Sequence, residues 1–319
     1  MRCFDVFNGD ADGIISLVML RRAEPRDAVL VTGRKRDIKL LDRVDARAGD
    51  HLTVLDISML SNMDALTRIL SAGASVFYAD HHKSGDIPDH PNLEAVIHTA
   101  PEVCTAVLID QIQNGSYREW AITAAFGDNF PAMAKRLAKT VSDKGNNLPL
   151  AELERLGMLI NYNGYGGSEA DLLFHPAELY RQLAPYDTPM DFLSAKRDVF
   201  EALDAGFNTD MATVECSDVI DETPKGLILG LADSAASRRA SGTYGNQLAQ
   251  DFPNRAHAIL TAQDGGYLVS IRAPLSNRRG ADDLALQFET GGGRSAAAGI
   301  NHLSNNDLER FVKAFRNAF

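Results

Sequence analysis

Asp80-His81-His82 places one carboxylate and two imidazoles side by side, directly after Ser75-Val76-Phe77-Tyr78-Ala79. That preceding run is apolar or small and reads as a short buried strand. Two other strand-like runs end the same way: Cys3–Phe7 leads into Asn8-Gly9-Asp10-Ala11-Asp12-Gly13, and His51–Leu55 leads into Asp56. A strand that runs apolar and ends polar is what the carboxyl edge of an open parallel sheet looks like, and ligands of such sheets bind there. Gly127-Asp128-Asn129, at the end of a helical run, adds another carboxylate. Any one of these is weak, since Asp-x-Asp-Gly alone is more often a solvated turn. Together, carboxylate oxygens and imidazole nitrogens at one edge suit a divalent cation such as Mn2+.

The elements that must carry these residues follow from periodicity. Ile14, Leu17 and Val18 form a helical stripe that closes on Arg21 and Arg22. Val29–Gly33 is the next strand, and Arg34-Lys35-Arg36 follows, either as a solvated loop or as cations leaning toward an anionic substrate. Ser61 with Asp64 resembles a capping box, before a helical face of Met63, Leu66, Ile69 and Leu70 that stops at Gly73. A strand at Leu93–His98 precedes a helix opened by Pro101 and Glu102 and running to Asn114-Gly115, then a helix over Tyr117–Phe126. This alternation predicts an α/β fold, a parallel sheet with helices on both faces.

From Pro131 to Phe207 the chain reads as mostly helical; the polar-aromatic turn Asn161–Gly167 has no assigned role. Beyond it, Met211–Cys216, Gly226–Leu231, His257–Ala262 and Tyr267–Arg272 read as strands. Helices are expected at Ser241–Asp251, Asp282–Phe288 and Asn306–Phe319, giving a smaller mixed-sheet α/β domain. The expected boundary separates residues 1–207 from 208–319.

With 45% apolar and 24% charged residues the chain can bury a core, and 319 residues suggest two domains. A net charge of −11 argues against holding a long nucleic acid by charge, which needs a basic face, but allows a short phosphorylated substrate. Three widely spaced cysteines without a C-x-x-C suggest neither a disulfide framework nor a zinc knuckle. The acidic start leads us to expect no signal peptide, and Ile14–Leu20 is too short to span a bilayer. A cytoplasmic protein without membrane contact is expected.

In order and spacing, Asp10-x-Asp12-Gly, Asp56, Asp80-His81-His82, Asp128 and Gly291-Gly292-Gly293 resemble the DHH phosphoesterase superfamily. The likeness covers nearly the whole chain, and is to members with a DHH catalytic domain followed by a DHH-associated substrate domain, such as nanoRNases and pGpG phosphodiesterases. It implies two Mn2+ ions, with Mg2+ or Co2+ as substitutes. Asp56 would bridge them, Asp12, His81 and Asp128 would complete one site, and Asp10 would serve the other. Asp80 would orient a histidine, and His82 would point to the scissile phosphate. The chain departs from the family at Val6, where many members have a histidine, and at Asn8, where others have an acidic residue, so a neutral amide is expected to weaken one metal site. In the second domain, Arg272 resembles a substrate-binding arginine. Gly291–Gly299 resembles the family's glycine-rich loop, with Gly292, Gly293, Arg294 and Ser295 as substrate contacts and Arg294 in place of a histidine. A helix start after that loop would add its positive end. His51, His90, His98, His175, His257 and His302 match no motif.

The resemblance implies a hydrolase that cuts short oligonucleotides or linear dinucleotides, such as pGpG, to mononucleotides by two-metal water attack. Long duplex nucleic acid is not an expected partner, and a homodimer is compatible with this reading. Cyclic-dinucleotide, polyphosphate or pyrophosphate hydrolysis are alternatives within the same chemistry. From a different class comes a degenerate nucleotide sensor that binds without cleaving, with Asn8 as its supporting feature.

Overall fold

Five short apolar runs pair into one sheet in the first part of the chain. In the computed structural model, which describes residues 1–100, 102–143 and 147–319, these are β1 (Cys3–Phe7), β2 (Val29–Val31), β3 (His51–Leu55), β4 (Ser75–Asp80) and β5 (Leu93–Ile97). Their order is β2-β1-β3-β4-β5, with every neighbour pair parallel. The chain leaves β1 toward β2 on one side and returns to β3 on the other. The order therefore reverses between β1 and β3, the place where open α/β sheets bind ligands. Register sharpens the point: Phe7 stands opposite Leu55, and Leu55 opposite Ala79. The next residues, Asn8, Asp56 and Asp80, consequently leave the sheet along one edge.

Side-chain alternation gives the sheet two buried faces. Phe4, Val6, Leu52, Val54, Val76 and Tyr78 pack with Leu66, Ile69 and Leu70 of α2 (Met63–Ser71) and with Leu40 and Leu41 of a short 3-10 turn. The opposite face meets α1 (Ala11–Ala23) and α3 (Thr105–Ile112). Helices on both faces of a parallel sheet are what the alternating sequence predicts. Asp10 caps α1, its Oδ1 accepting from the Gly13 N–H at 3.1 Å. Gly13 is required by close approach, because a Cβ there would lie 2.3 Å from the Asn8 carbonyl oxygen. The β1–α1 loop is thereby drawn tight around its two aspartates. Helices α4 (Arg118–Gly127), α5 (Pro131–Ser142), α6 (Leu150–Asn163), α7 (Pro176–Leu183) and α8 (Pro189–Ala195) complete this part.

The chain divides into two units, Met1–Ala205 and Gly206–Phe319, with α9 (Arg197–Glu215) running through the boundary. The second unit has β6 (Asp218–Glu222), β7 (Gly226–Leu231), α10 (Ala235–Asp251), β8 (Ala256–Gln263), β9 (Gly266–Arg272), α11 (Ala281–Ala285), β10 (Gly291–Arg294), β11 (Ala297–Ser304) and α12 (Leu308–Ala318). Its six strands form a mixed sheet in the order β10-β11-β9-β8-β7-β6, with β7 and β8 parallel and the other neighbours antiparallel.

Three local expectations change. Met211–Cys216, read as a strand, instead forms the end of α9 up to Glu215, and the strand begins at Asp218. Val214 and Met211 are buried on that helix, which is where its apolar residues serve. Ser61 and Asp64 make no capping box: Leu60–Asn62 is a 3-10 turn, and the Ser61 N–H goes to Ser58 Oγ at 3.4 Å. Pro101 lies outside the described residues; the helix beyond it starts at Thr105, where Asp12 rather than proline sets the terminus. No helix among the described residues is long and apolar enough to cross a membrane.

Candidate metal centre

Asp12 is the anchor. Both its oxygens accept backbone N–H groups at the start of α3, Oδ2 from Thr105 and Oδ1 from Ala106, each at 2.7 Å. These are orphan donors at the positive end of a helix, so a buried carboxylate is well placed there. Asp56 follows β3 in the left-handed region, φ +59°, which aspartate and asparagine tolerate better than most residues. Its N–H donates to the Ala79 carbonyl at 3.0 Å, and the Thr105 hydroxyl donates to its Oδ1 at 3.0 Å. One hydroxyl and one helix end thus fix two carboxylates together.

His81 reaches into this group. Its Nε2 stands 3.4 Å from Asp56 Oδ1, 3.7 Å from Asp128 Oδ2 and 3.9 Å from Asp12 Oδ2. Donors sharing one ion at about 2.1 Å in octahedral geometry stand roughly 3–4 Å apart. Asp12, His81 and Asp128 could hold a cation, with Asp56 alongside. Asp56, His81 and His82 also lie close enough. That second group is the poorer set, because His82 Nδ1 is already committed to Asp80 Oδ1 at 2.8 Å. Asp80 therefore orients His82 rather than His81. The Asp12–Asp56–His81–Asp128 donor set fits a divalent cation of the Mn2+ or Mg2+ class.

Asp10 and Asn8, assigned by resemblance to a second ion, are differently engaged. Asp10 Oδ1 caps α1, and its Oδ2 receives the Lys35 ammonium at 2.7 Å. Lys35 Nζ also meets Asp128 Oδ1 at 3.1 Å and Asn161 Oδ1 at 3.0 Å. Asn8 Nδ2 donates to the Lys35 carbonyl at 3.4 Å, while its buried Oδ1 has no hydrogen-bond partner among the described residues. Lys35 is the residue that sequence reasoning missed. The Arg34-Lys35-Arg36 run contained it, but its three cations part ways. Arg34 pairs with Asp37 and Gly167, Arg36 is exposed, and only Lys35 turns inward. The signal was its place just beyond a strand end on the same sheet edge as the aspartates. Asn161, read in the sequence as part of a turn without an assigned role, lies in the last turn of α6 and gains a role here.

The electrostatics record this crowding. Burial, then the charges of Asp12, Asp10, Asp128 and Asp80, push Asp56 well above the usual carboxylate range. Burial raises Asp128 to about 6 against the pull of Lys35. Burial works to raise Asp10, but Lys35, together with the hydrogen bonds of the Gly13 N–H and Asp56, leaves it below its ordinary value. His82 is disfavoured as an imidazolium by burial, yet the Asp80 carboxylate carries it above the ordinary histidine value.

The second-unit residues are arranged by its sheet. Ala297 of β11 stands opposite Arg272 on one side and opposite Arg294 on the other, so both arginines belong to one cross-strand row. Arg272 donates to Asn246 Oδ1 at 2.8 Å and to Ser270 Oγ at 3.0 Å. Gly292 and Gly293 pair with Gly299 and Ala298 as part of β10, and Arg294 and Ser295 are exposed. The expected open loop is thus a hairpin arm, and it leads into β11 rather than into a helix start. Gly293, at φ +146°, is needed there because a Cβ would lie 2.4 Å from Ala298 Cα. Ser295 Oγ donates to Asp282 Oδ2 at 2.9 Å.

No protein-family model and no curated protein matches the chain. Solved structures do. A structure of a DHH domain from the S1p family of ribosomal proteins is similar at TM-score 0.68 and 14% identity, over 99% of this chain and 86% of the other. Exonuclease RecJ bound to manganese is similar at TM-score 0.61 and 17% identity, over 99% and 90%. The chain has the DHH-domain fold. A pGpG-specific phosphodiesterase from Vibrio cholerae shares this DHH fold at TM-score 0.55 and 17% identity, with the whole of both chains covered.

One pH dependence follows for this centre. Raised carboxyl pKa values mean that, without a cation, Asp56 and Asp128 hold protons that an ion must displace. Asp128 at about 6 ceases to compete as pH rises through that value, and Asp56 higher still. Mn2+ affinity should therefore rise with pH from below 6 upward, with proton release on binding. Titration calorimetry in two buffers of different ionisation enthalpy measures both; a pH-independent affinity without proton release would contradict the assignment.

Proposed function

We propose that this chain is a divalent-metal-dependent phosphodiesterase that hydrolyses short oligonucleotides or linear dinucleotides, pGpG among them, to mononucleotides. The observation that carries this reading is the convergence of Asp12, Asp56, Asp128 and His81 Nε2 beside an Asp80-held histidine, all at the switch point of a parallel sheet. A divalent cation held by those donors supplies Lewis acidity and a nucleophile at neutral pH.

The chain's own residues do the rest. The Thr105 and Ala106 amides and the Thr105 hydroxyl hold Asp12 and Asp56 in place before substrate arrives. Asp80 holds His82 through Nδ1 and favours its charged form, which leaves Nε2 to donate to the scissile phosphate or its leaving oxygen. His82's side chain is 38% exposed, so substrate can reach it. The −11 net charge favours a short substrate over a long strand held by charge. The likeness to a pGpG-specific phosphodiesterase and to an exonuclease supports a phosphodiester substrate. Arg272 and Arg294, in one row of the second sheet, are the residues we assign to an anionic part of that substrate. The sensor reading retains one favourable observation, the neutral Asn8 amide beside a carboxylate already paired with Lys35.

A substrate panel in Mn2+ and in Mg2+ tests the proposal: pGpG, a five-nucleotide RNA, a long single strand, a cyclic dinucleotide and polyphosphate. The shortest linear substrates should give the highest kcat/KM. Preference for the long strand or for polyphosphate would defeat the short-substrate reading, and tight binding of pGpG without cleavage would favour the sensor. Asp80→Asn provides a second, sharper test. Loss of the carboxylate lets burial lower the His82 pKa, so the proton is lost at lower pH. We expect kcat to fall about 10²- to 10⁴-fold, with the alkaline limb of the pH profile moved toward acid. An unchanged limb would remove His82 from proton donation.

A further inference from the structure

The DHH resemblance implies a second ion, served by Asp10 and the residue at position 8, and the residues present do not fit one. Asp10, unlike Asp12, is already paired with a cation: its Oδ1 accepts the Gly13 N–H at 3.1 Å and its Oδ2 meets the Lys35 ammonium at 2.7 Å, so a divalent ion there would stand against a fixed positive charge. Beyond that paired carboxylate, this side offers the neutral Asn8 Oδ1 and the Asp56 carboxyl, which already serves the ion held with His81. We propose that the ammonium of Lys35 takes the place of the second cation, so that this centre holds a single divalent ion. The inference rests on the metal-dependent reading above and specifies its stoichiometry.

Lys35 is built into this position rather than leaning into it. Its backbone N–H donates to the Gly164 carbonyl at 2.9 Å, and its own carbonyl receives Asn8 Nδ2. The ammonium has three N–H donors and three acceptors within reach, Asp10 Oδ2, Asp128 Oδ1 and Asn161 Oδ1. It also lies 5.6 Å from the centre of the Tyr165 ring. With all its donors matched inside the protein, Lys35 is a positioning residue, not a substrate contact. Asp128 joins the two charges: Oδ1 faces the lysine, while Oδ2 lies 3.7 Å from His81 Nε2 on the ion's side. That is the bridging geometry a carboxylate adopts between two cations, with an ammonium standing for one of them. An ion entering the Asp10 side would have to expel Lys35 from three acceptors and strip the partner from a carboxylate that also caps α1.

The same carboxylates explain why one lysine at this place matters. Lysine is a compact point charge on a flexible stem, able to reach between two carboxylates where arginine's planar fork would not fit the same three acceptors. Substituting it therefore changes the charge count and the space together.

Counting bound Mn2+ in the purified full chain, with electron paramagnetic resonance of the same samples, tests this. Wild type at saturating Mn2+ should bind one ion per chain and show the resolved hyperfine pattern of an isolated Mn2+. Lys35→Ala frees Asp10 and Asp128 Oδ1 and should bind two ions per chain, with a spectrum broadened by exchange between them. Lys35→Gln, which keeps a hydrogen-bonding side chain without the charge, guards against a variant that fails to fold, and should also bind a second ion. Two ions in wild type would overturn the lysine assignment and leave the phosphodiesterase reading standing. A single ion in a folded Lys35→Ala would overturn it as well. No ion in any of the three would overturn both.

Discussion

Like-charge repulsion among buried carboxylates is the constraint on which the centre depends. Asp10, Asp12, Asp56 and Asp80 are each 2% exposed or less, and Asp128 lies beside them. Burying unpaired charge is costly, so each must find a partner or keep a proton. Asp12 has the helix end of α3, Asp80 has His82, and Asp10 has Lys35. Asp56 has the Thr105 hydroxyl, the Asp10 carboxylate and two nearby imidazoles, none of them a fixed cation, and it is the carboxyl pushed well upward. The local fold follows from these pairings. The tight β1–α1 loop, the left-handed Asp56 and the start of α3 exist in forms that deliver charge to one point.

Much of this was legible in the sequence, for a physical reason. A strand in the interior of a parallel sheet is apolar on both faces, so the place where polarity begins marks the sheet edge. Cys3–Phe7, His51–Leu55 and Ser75–Ala79 each show that change, and the register brings their ends level. Single-chain periodicity does not show partners distant in sequence. Lys35 and Asn161 are separated by 126 positions, and nothing local to either announces the hydrogen bond between them. The lysine was hidden further by two arginines with different fates. The misread strand at Met211–Cys216 has another cause: a short run with buried Met211 and Val214 suits either period until the helix before it is known.

The glycine run shows how composition underdetermines conformation. Gly291–Gly293 could have formed an open phosphate-binding loop, but antiparallel partners in β11 satisfy its backbone as a ladder. What the ladder does provide is alignment, with Arg272 and Arg294 on either side of Ala297. Two cations share one row, and that arrangement comes from register rather than from glycine flexibility.

The central claim is that the carboxylate cluster is balanced by a divalent cation, and thermal unfolding with and without Mn2+ tests it most directly. A cation at a hundred times its Kd stabilises by about 2.7 kcal/mol, worth roughly 5–10 °C for a unit of this size. Asp56→Asn is the decisive companion, since asparagine tolerates the left-handed backbone while removing one of the repelling charges. Near pH 8, where unshifted carboxyls are ionised, metal-free Asp56→Asn should melt above metal-free wild type, and Mn2+ should raise wild type by several degrees but the variant much less. Equal melting of wild type with and without Mn2+, together with a variant less stable than wild type in the absence of metal, would contradict the account.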